Sequence, residues 1–112
     1  MPPPVRNLFE PISGVAGELA SPLLNGAGFR LEHIASNSAA SAPGFWYDQP
    51  DPEWVALVQG HATLEFDEGR LTLKPGDSLL IPAHARHRVA DTSSDAVWLA
   101  LHLTTISRET RT

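Results

Sequence analysis

The chain has 112 residues, 42% of them hydrophobic and 19% charged, with a formal net charge of −5 at pH 7. Those values describe one ordinary folded domain with a core of its own. They supply no basic footprint for nucleic acid or anionic lipid, since Lys and Arg total only eight. There is no cysteine, so disulfides, thiolate chemistry and cysteine-held zinc are excluded.

Ten prolines and eight glycines imply many turns and no long helix. No apolar run reaches the roughly 20 residues a membrane-spanning helix needs. The opening Met1-Pro2-Pro3-Pro4 lacks the basic-then-apolar order of a signal peptide, so a cytoplasmic location is expected.

Residues 1–28 read as an irregular N-terminal arm with room for one short strand or turn, because Gly14, Gly17, Pro22, Gly26 and Gly28 interrupt it. From Phe29 to Ile34 apolar and polar residues alternate as in a half-buried strand. A loop of small residues, Ala35 to Gly44, leads to the aromatic, strand-like segment Phe45 to Gln49, which Pro50-Asp51-Pro52 ends. Trp54 to Val58 is a short apolar run suited to a buried strand, closed by Gln59-Gly60.

His61 to Phe66 and Arg70 to Leu73 form a predicted hairpin about Asp67-Glu68-Gly69. Lys74-Pro75-Gly76-Asp77 is a tight turn before Ser78 to Ile81. Predicted strands from His87 to Ala90 and Ala96 to Leu103 close the domain, and residues 104–112 read as a polar tail. Eight or nine short strands at regular spacing imply an all-β sandwich or barrel.

Two segments sharpen this. Glu53 is followed seven residues on by Gly60, and Gly76 is followed by Pro82 after six residues and His87 after five more. Together with Lys74-Pro75-Gly76-Asp77, these residues resemble the two signature motifs of the cupin superfamily, over roughly Phe29 to Leu103. The likeness is to small single-domain cupins of the cupin 2 type. It implies a jelly-roll barrel (a double-stranded β-helix) over 29–103.

The resemblance also implies a site. Cupins commonly hold a divalent metal inside the barrel with two motif-one histidines, the glutamate and the motif-two histidine. Here Tyr47 and Gln49 stand at the two motif-one histidine places, while Glu53 and His87 are kept. Phe45, Tyr47 and Gln49 share one face by strand alternation, so both replacements are expected to point where the histidines would. Gln49, Glu53 and His87 are then the candidate metal ligands. An oxygen-rich set of this kind favours zinc or manganese over iron or nickel. Tyr47, His84, Arg86 and His102 are further candidates for the cavity, although the parity of the last strand does not say which of its faces is inside.

Three readings stay open. The first is a metal-dependent enzyme acting on a small polar metabolite. The second is a metal-free module binding such a metabolite through Tyr47, Gln49, Glu53 and His87. The third is a structural or regulatory homodimer joined through exposed strand edges.

Overall fold

A computed structural model describes residues 1–10 and 17–104. Among them there is no helix, and eight strands lie in two antiparallel sheets facing each other. The strands are β1 (Gly17–Gly26), β2 (Phe29–Asn37), β3 (Glu53–Gln59), β4 (Ala62–Phe66), β5 (Gly69–Leu73), β6 (Ser78–Ile81), β7 (His87–Thr92) and β8 (Ala96–Leu103). One sheet has the order β1-β2-β8-β3-β6 and the other β5-β4-β7. Each chain neighbour in β3 to β7 is sent across or along the barrel by a tight turn, so the two sheets close on one interior.

Strand alternation explains the core. Val55 and Leu57 of β3, Ala96, Trp98 and Ala100 of β8, and Ala62 and Leu64 of β4 are all buried, and Leu57 is fully enclosed. These are alternate positions, as a sheet with one face turned to a core requires. The expected turn at Lys74 to Asp77 is present. Gly76 takes a φ of +96°, and the Asp77 carboxylate accepts the Lys74 main-chain N–H at 2.9 Å.

The segment expected to be an irregular arm carries β1, ten residues long and paired with β2 along its whole length. Glycine and proline were the signals against a strand, and its position resolves the conflict. β1 is the edge of its sheet, where a proline's missing N–H interrupts no second ladder. The register also shifts between Pro22 and Leu24, a bulge that absorbs the proline. A second difference falls at Phe45 to Gln49, where a single bridge between Tyr47 and His87 replaces the expected strand. The segment 11–16 of the arm and residues 105–112 of the expected polar tail lie outside the described residues.

The loop from Ser38 to Ser41 is sewn onto β7. Ser38 N donates to Ser93 O and Ser41 N to Val89 O. The Thr92 hydroxyl accepts from Ala39 N at 2.7 Å and donates to Ala39 O at 3.0 Å. Thr92 is buried, so Thr92→Val would leave both Ala39 groups without a partner in a place water reaches poorly. The expected result is a loss of about 1–3 kcal/mol of stability. Hydrogen exchange should show the Ala39 amide losing protection while the β3 and β8 amides keep theirs.

Candidate functional site

The space between the sheets is a cavity of about 180 Å³. The larger sheet supplies Glu18 from β1, Glu32 from β2, Glu53 from β3, and Trp98 and His102 from β8. The smaller sheet supplies His87 and Val89, and Tyr47 enters from the loop before β3. An open vestibule of about 320 Å³, lined by the loop from Ser38 to Ser41, meets the cavity at Glu18, Tyr47 and Val89.

Cross-strand register builds the polar end of this cavity. Glu53 and His102 are direct partners across β3 and β8 and, as non-bulged neighbours, point to the same side. Glu32 sits on β2 opposite Ala100, one step along the same face. His102 Nε2 consequently lies 3.1 Å from Glu32 Oε1 and 3.7 Å from Glu53 Oε2. Both neighbours are carboxylates, so Nε2 carries the proton and donates. Arg30 closes the outer end, its Nε 3.2 Å from Glu32 Oε2 and its side chain half-exposed.

Burial pushes the Glu53 carboxyl above its ordinary pKa. His102 and then His87 pull it partly back, and Glu32 adds to the rise. Glu18 stands at the mouth with its outer side open to solvent. Loss of water on the cavity side raises its pKa, and the charges of Glu53 and Glu32 raise it further. The Tyr47 phenol is also harder to ionise than usual, first from burial and then from Glu18 and Glu53. Glu18 and Glu53 thus both have carboxyls raised at one cavity, the direction that brings a carboxyl toward the range of general acids and bases.

His87 is held from three sides. Its main chain pairs with Tyr47, with Tyr47 N donating to His87 O at 2.7 Å and His87 N to Tyr47 O at 3.1 Å. Its ring stacks on Tyr47 and Phe66, with centroids at 5.2 and 5.8 Å. Nδ1 is 2.9 Å from Ala85 O and must donate, because a carbonyl only accepts. In the neutral ring the proton is therefore on Nδ1. Nε2 is left as an acceptor with no hydrogen-bond partner among the described residues, on a side chain that is 5% exposed.

Of the residues singled out from the sequence, Tyr47, Glu53, His87 and His102 line the cavity. Gln49 does not. Its main-chain carbonyl accepts from His84 N at 2.7 Å, and without a continuous strand the alternation that aimed it inward does not apply. His84 and Arg86 also stand outside, on the turn before β7. His84 pairs with Asp48 at 2.7 Å, and Arg86 lies 4.7 Å from the Trp46 ring centroid and 3.5 Å from Asp67. His33 is buried on the outer face of β2, where Nε2 donates to Leu8 O at 2.8 Å.

Glu18 and Glu32 were not singled out from the sequence. Glu18 lies in a segment that read as irregular. Glu32 had one available signal, its period-two placement with Ile34, which is silent on which face is the interior.

A cupin metal centre would need three or more converging donors. Among the described residues no group of three His, Asp or Glu side chains is placed to hold a metal ion. Of the expected trio, Glu53 and His87 reach the cavity and Gln49 does not, while the Tyr47 phenol resists the ionisation that would make it a good ligand. Among the described residues the protein's own side chains do not complete a mononuclear metal centre.

The two facing sheets agree with the comparisons. A cupin domain family model matches residues 37–102. No curated protein matches the chain. Among solved structures, a protein of Ralstonia eutropha JMP134 described as a "putative mannose-6-phosphate isomerase" is 46% identical. That match covers 90% of this chain and 98% of the other, with a TM-score of 0.83. KdgF from a Halomonas species (17% identity, 82% and 84% covered, TM-score 0.70) shares the fold. So does an RmlC-like cupin from Shewanella frigidimarina NCIMB 400 (16%, 81% and 79%, 0.68). Its two sheets, its paired motifs and these likenesses place the chain in the cupin family.

Proposed function

We propose that the cavity receives a small polar metabolite and that Glu53, set by His102 and Glu32, takes or gives a proton there. The observation that carries this reading is the linked row Glu32, His102, Glu53 on one wall of the cavity, with His102 Nε2 between the two carboxylates. An acid–base group needs a fixed direction and a pKa moved toward the working pH. The cross-strand pairing supplies the first for Glu53, and burial supplies the second. Tyr47 and His87 form the opposite wall and hold the ligand against it. The Ralstonia eutropha relative is described as a "putative mannose-6-phosphate isomerase", and such an isomerisation proceeds by proton transfer, which supports the same class of chemistry.

The test is equilibrium dialysis against a polar-metabolite library read by mass spectrometry, comparing the parent protein with Glu53→Gln. A compound retained by the parent and released by the variant supports the reading. Identical retention in the two would contradict it.

A second reading is favoured by one observation: Glu53 and His87 both reach the cavity in the cupin pattern. It is a divalent-metal site, for zinc or manganese, completed from outside the protein by water or substrate. Plasma mass spectrometry on protein prepared without chelator separates the two, since near-stoichiometric metal lost in both Glu53→Ala and His87→Ala would favour the metal. We further propose a homodimer. The edge strand β1 and the exposed Leu80 and Leu24 offer apolar surface for it, and light scattering would report the doubled mass.

A further inference from the structure

We propose that the ligand of this cavity carries a protonated amine and no phosphate, its ammonium facing Glu18, Glu53 and the open Nε2 of His87. The inference rests on the reading that the cavity is a metabolite site, and it goes on to name the ligand's charge.

The hydrogen-bonding inventory points this way. Glu18 and Glu53 offer carboxylate oxygens, and His87 Nε2 offers a lone pair because Nδ1 holds the ring proton against Ala85 O. The Nε2–H of His102 is already committed to Glu32, with Glu53 Oε2 3.7 Å away. The Tyr47 hydroxyl is the one donor left among these groups. A cavity so rich in acceptors is complemented by a group that only donates, and an ammonium has three N–H donors and no acceptor.

Charge agrees with the inventory. Among the described residues no Lys or Arg lines the cavity, and Arg30, the cation at its edge, is paired with Glu32. A buried phosphate is usually met by arginine, lysine or a row of main-chain N–H groups, and the described lining residues include no arginine or lysine. The remaining walls are apolar or aromatic, with Ile34, Val55 and Trp98 beside Tyr47. Aromatic faces and carboxylates around a desolvated space are the surroundings in which an organic cation is held well.

The test uses two matched sets of probes. One is 3-amino-1,2-propanediol, glycerol and glycerol 3-phosphate; the other is mannosamine, mannose and mannose 6-phosphate. Binding is followed through the ring signals of His87 and His102 by nuclear magnetic resonance. The ammonium member of each set should shift those signals at roughly tenfold lower concentration than the hydroxyl member, because its hydrogen bonds are charge-assisted. The phosphate member should leave them unmoved. Glu18→Gln, at the rim of the cavity, should reduce the preference, and added salt should weaken it.

Equal responses within a set, or a preference for phosphate, would overturn the charge assignment and leave the metabolite reading standing. Silence of both rings toward all six probes would overturn both.

Discussion

Glu53→Gln should abolish ligand retention by the cavity and make the folded protein more stable at neutral pH. The two effects have one cause. Glu53 is 12% exposed, shares its space with Glu18 and Glu32, and has its carboxyl pKa raised by burial. A group whose folded pKa lies above its unfolded value contributes stability below the unfolded pKa, and that contribution is lost as pH rises through the folded pKa. Folding therefore disfavours the ionised form of this carboxylate. Glutamine keeps the shape and removes the charge.

The gain should read as a higher Tm at neutral pH, each 1 kcal/mol being worth about 4 °C or more in a domain of this size. It should shrink as pH falls through the raised pKa toward the ordinary carboxylate range, where the parent's Glu53 is already protonated. Thermal melts of both proteins from pH 4 to 8 check the sign. A variant less stable than the parent at every pH would show that the carboxylate stabilises the fold. Binding should fall by up to about a hundredfold, the scale of losing a hydrogen bond to a charged group (about 1.5–3 kcal/mol). Trading stability for a desolvated, charged group is common where a site has been built for function.

The other large effect is structural. Gly60, between β3 and β4, has a φ of +81°, a conformation L side chains rarely adopt. A Cβ there would collide with Ser93 Oγ and lie 2.8 Å from Ala96 Cα, which is main chain and cannot turn aside. Backbone strain and forced overlap together give Gly60→Ala a cost of about 3 kcal/mol or more. The damage has an address. Ser93 O accepts Ser38 N, the Ser93 hydroxyl accepts His61 N at 3.0 Å, and Gln59 Nε2 donates to Asp95 O at 2.8 Å. Urea unfolding should show a lower midpoint with an unchanged slope if the fold survives. Gly60→Ala with the parent's midpoint would mean that the β3–β4 and β7–β8 turns do not meet as described.

The same glycine shows why much of the fold was legible. Gly60, Gly76 and Pro82 mark places where the chain must turn in a way few residues allow, and such constraints are local and visible in sequence. Glu53 and His87 follow from those turns by fixed spacing, and both reach the cavity. The direction of β8 was not legible for a physical reason. It lies in the middle of a five-stranded sheet, and both its faces are apolar: Val97, Leu99, Leu101 and Leu103 on one, Ala96, Trp98 and Ala100 on the other. Only its pairing with Glu53 reveals that His102 turns inward.

Glu18 and Gln49 mark the opposite errors. Glu18 sits on an edge strand whose proline and glycines mimic a loop, so a carboxylate of the cavity looked like part of an arm. Gln49 was aimed inward by an alternation that requires a strand, and the chain makes only one bridge there, at Tyr47. Period two applies only where the ladder continues.

The account turns on Glu53 as a desolvated acid–base group that works without a protein-held metal. Carbon-13 resonance of the glutamate side-chain carboxyls, followed against pH in chelator-treated protein and again with one equivalent of zinc, tests this most directly. The account predicts that the Glu53 carboxyl titrates above the ordinary carboxylate range and that zinc leaves its curve in place. A titration inside the ordinary range, or one that zinc abolishes, would contradict it.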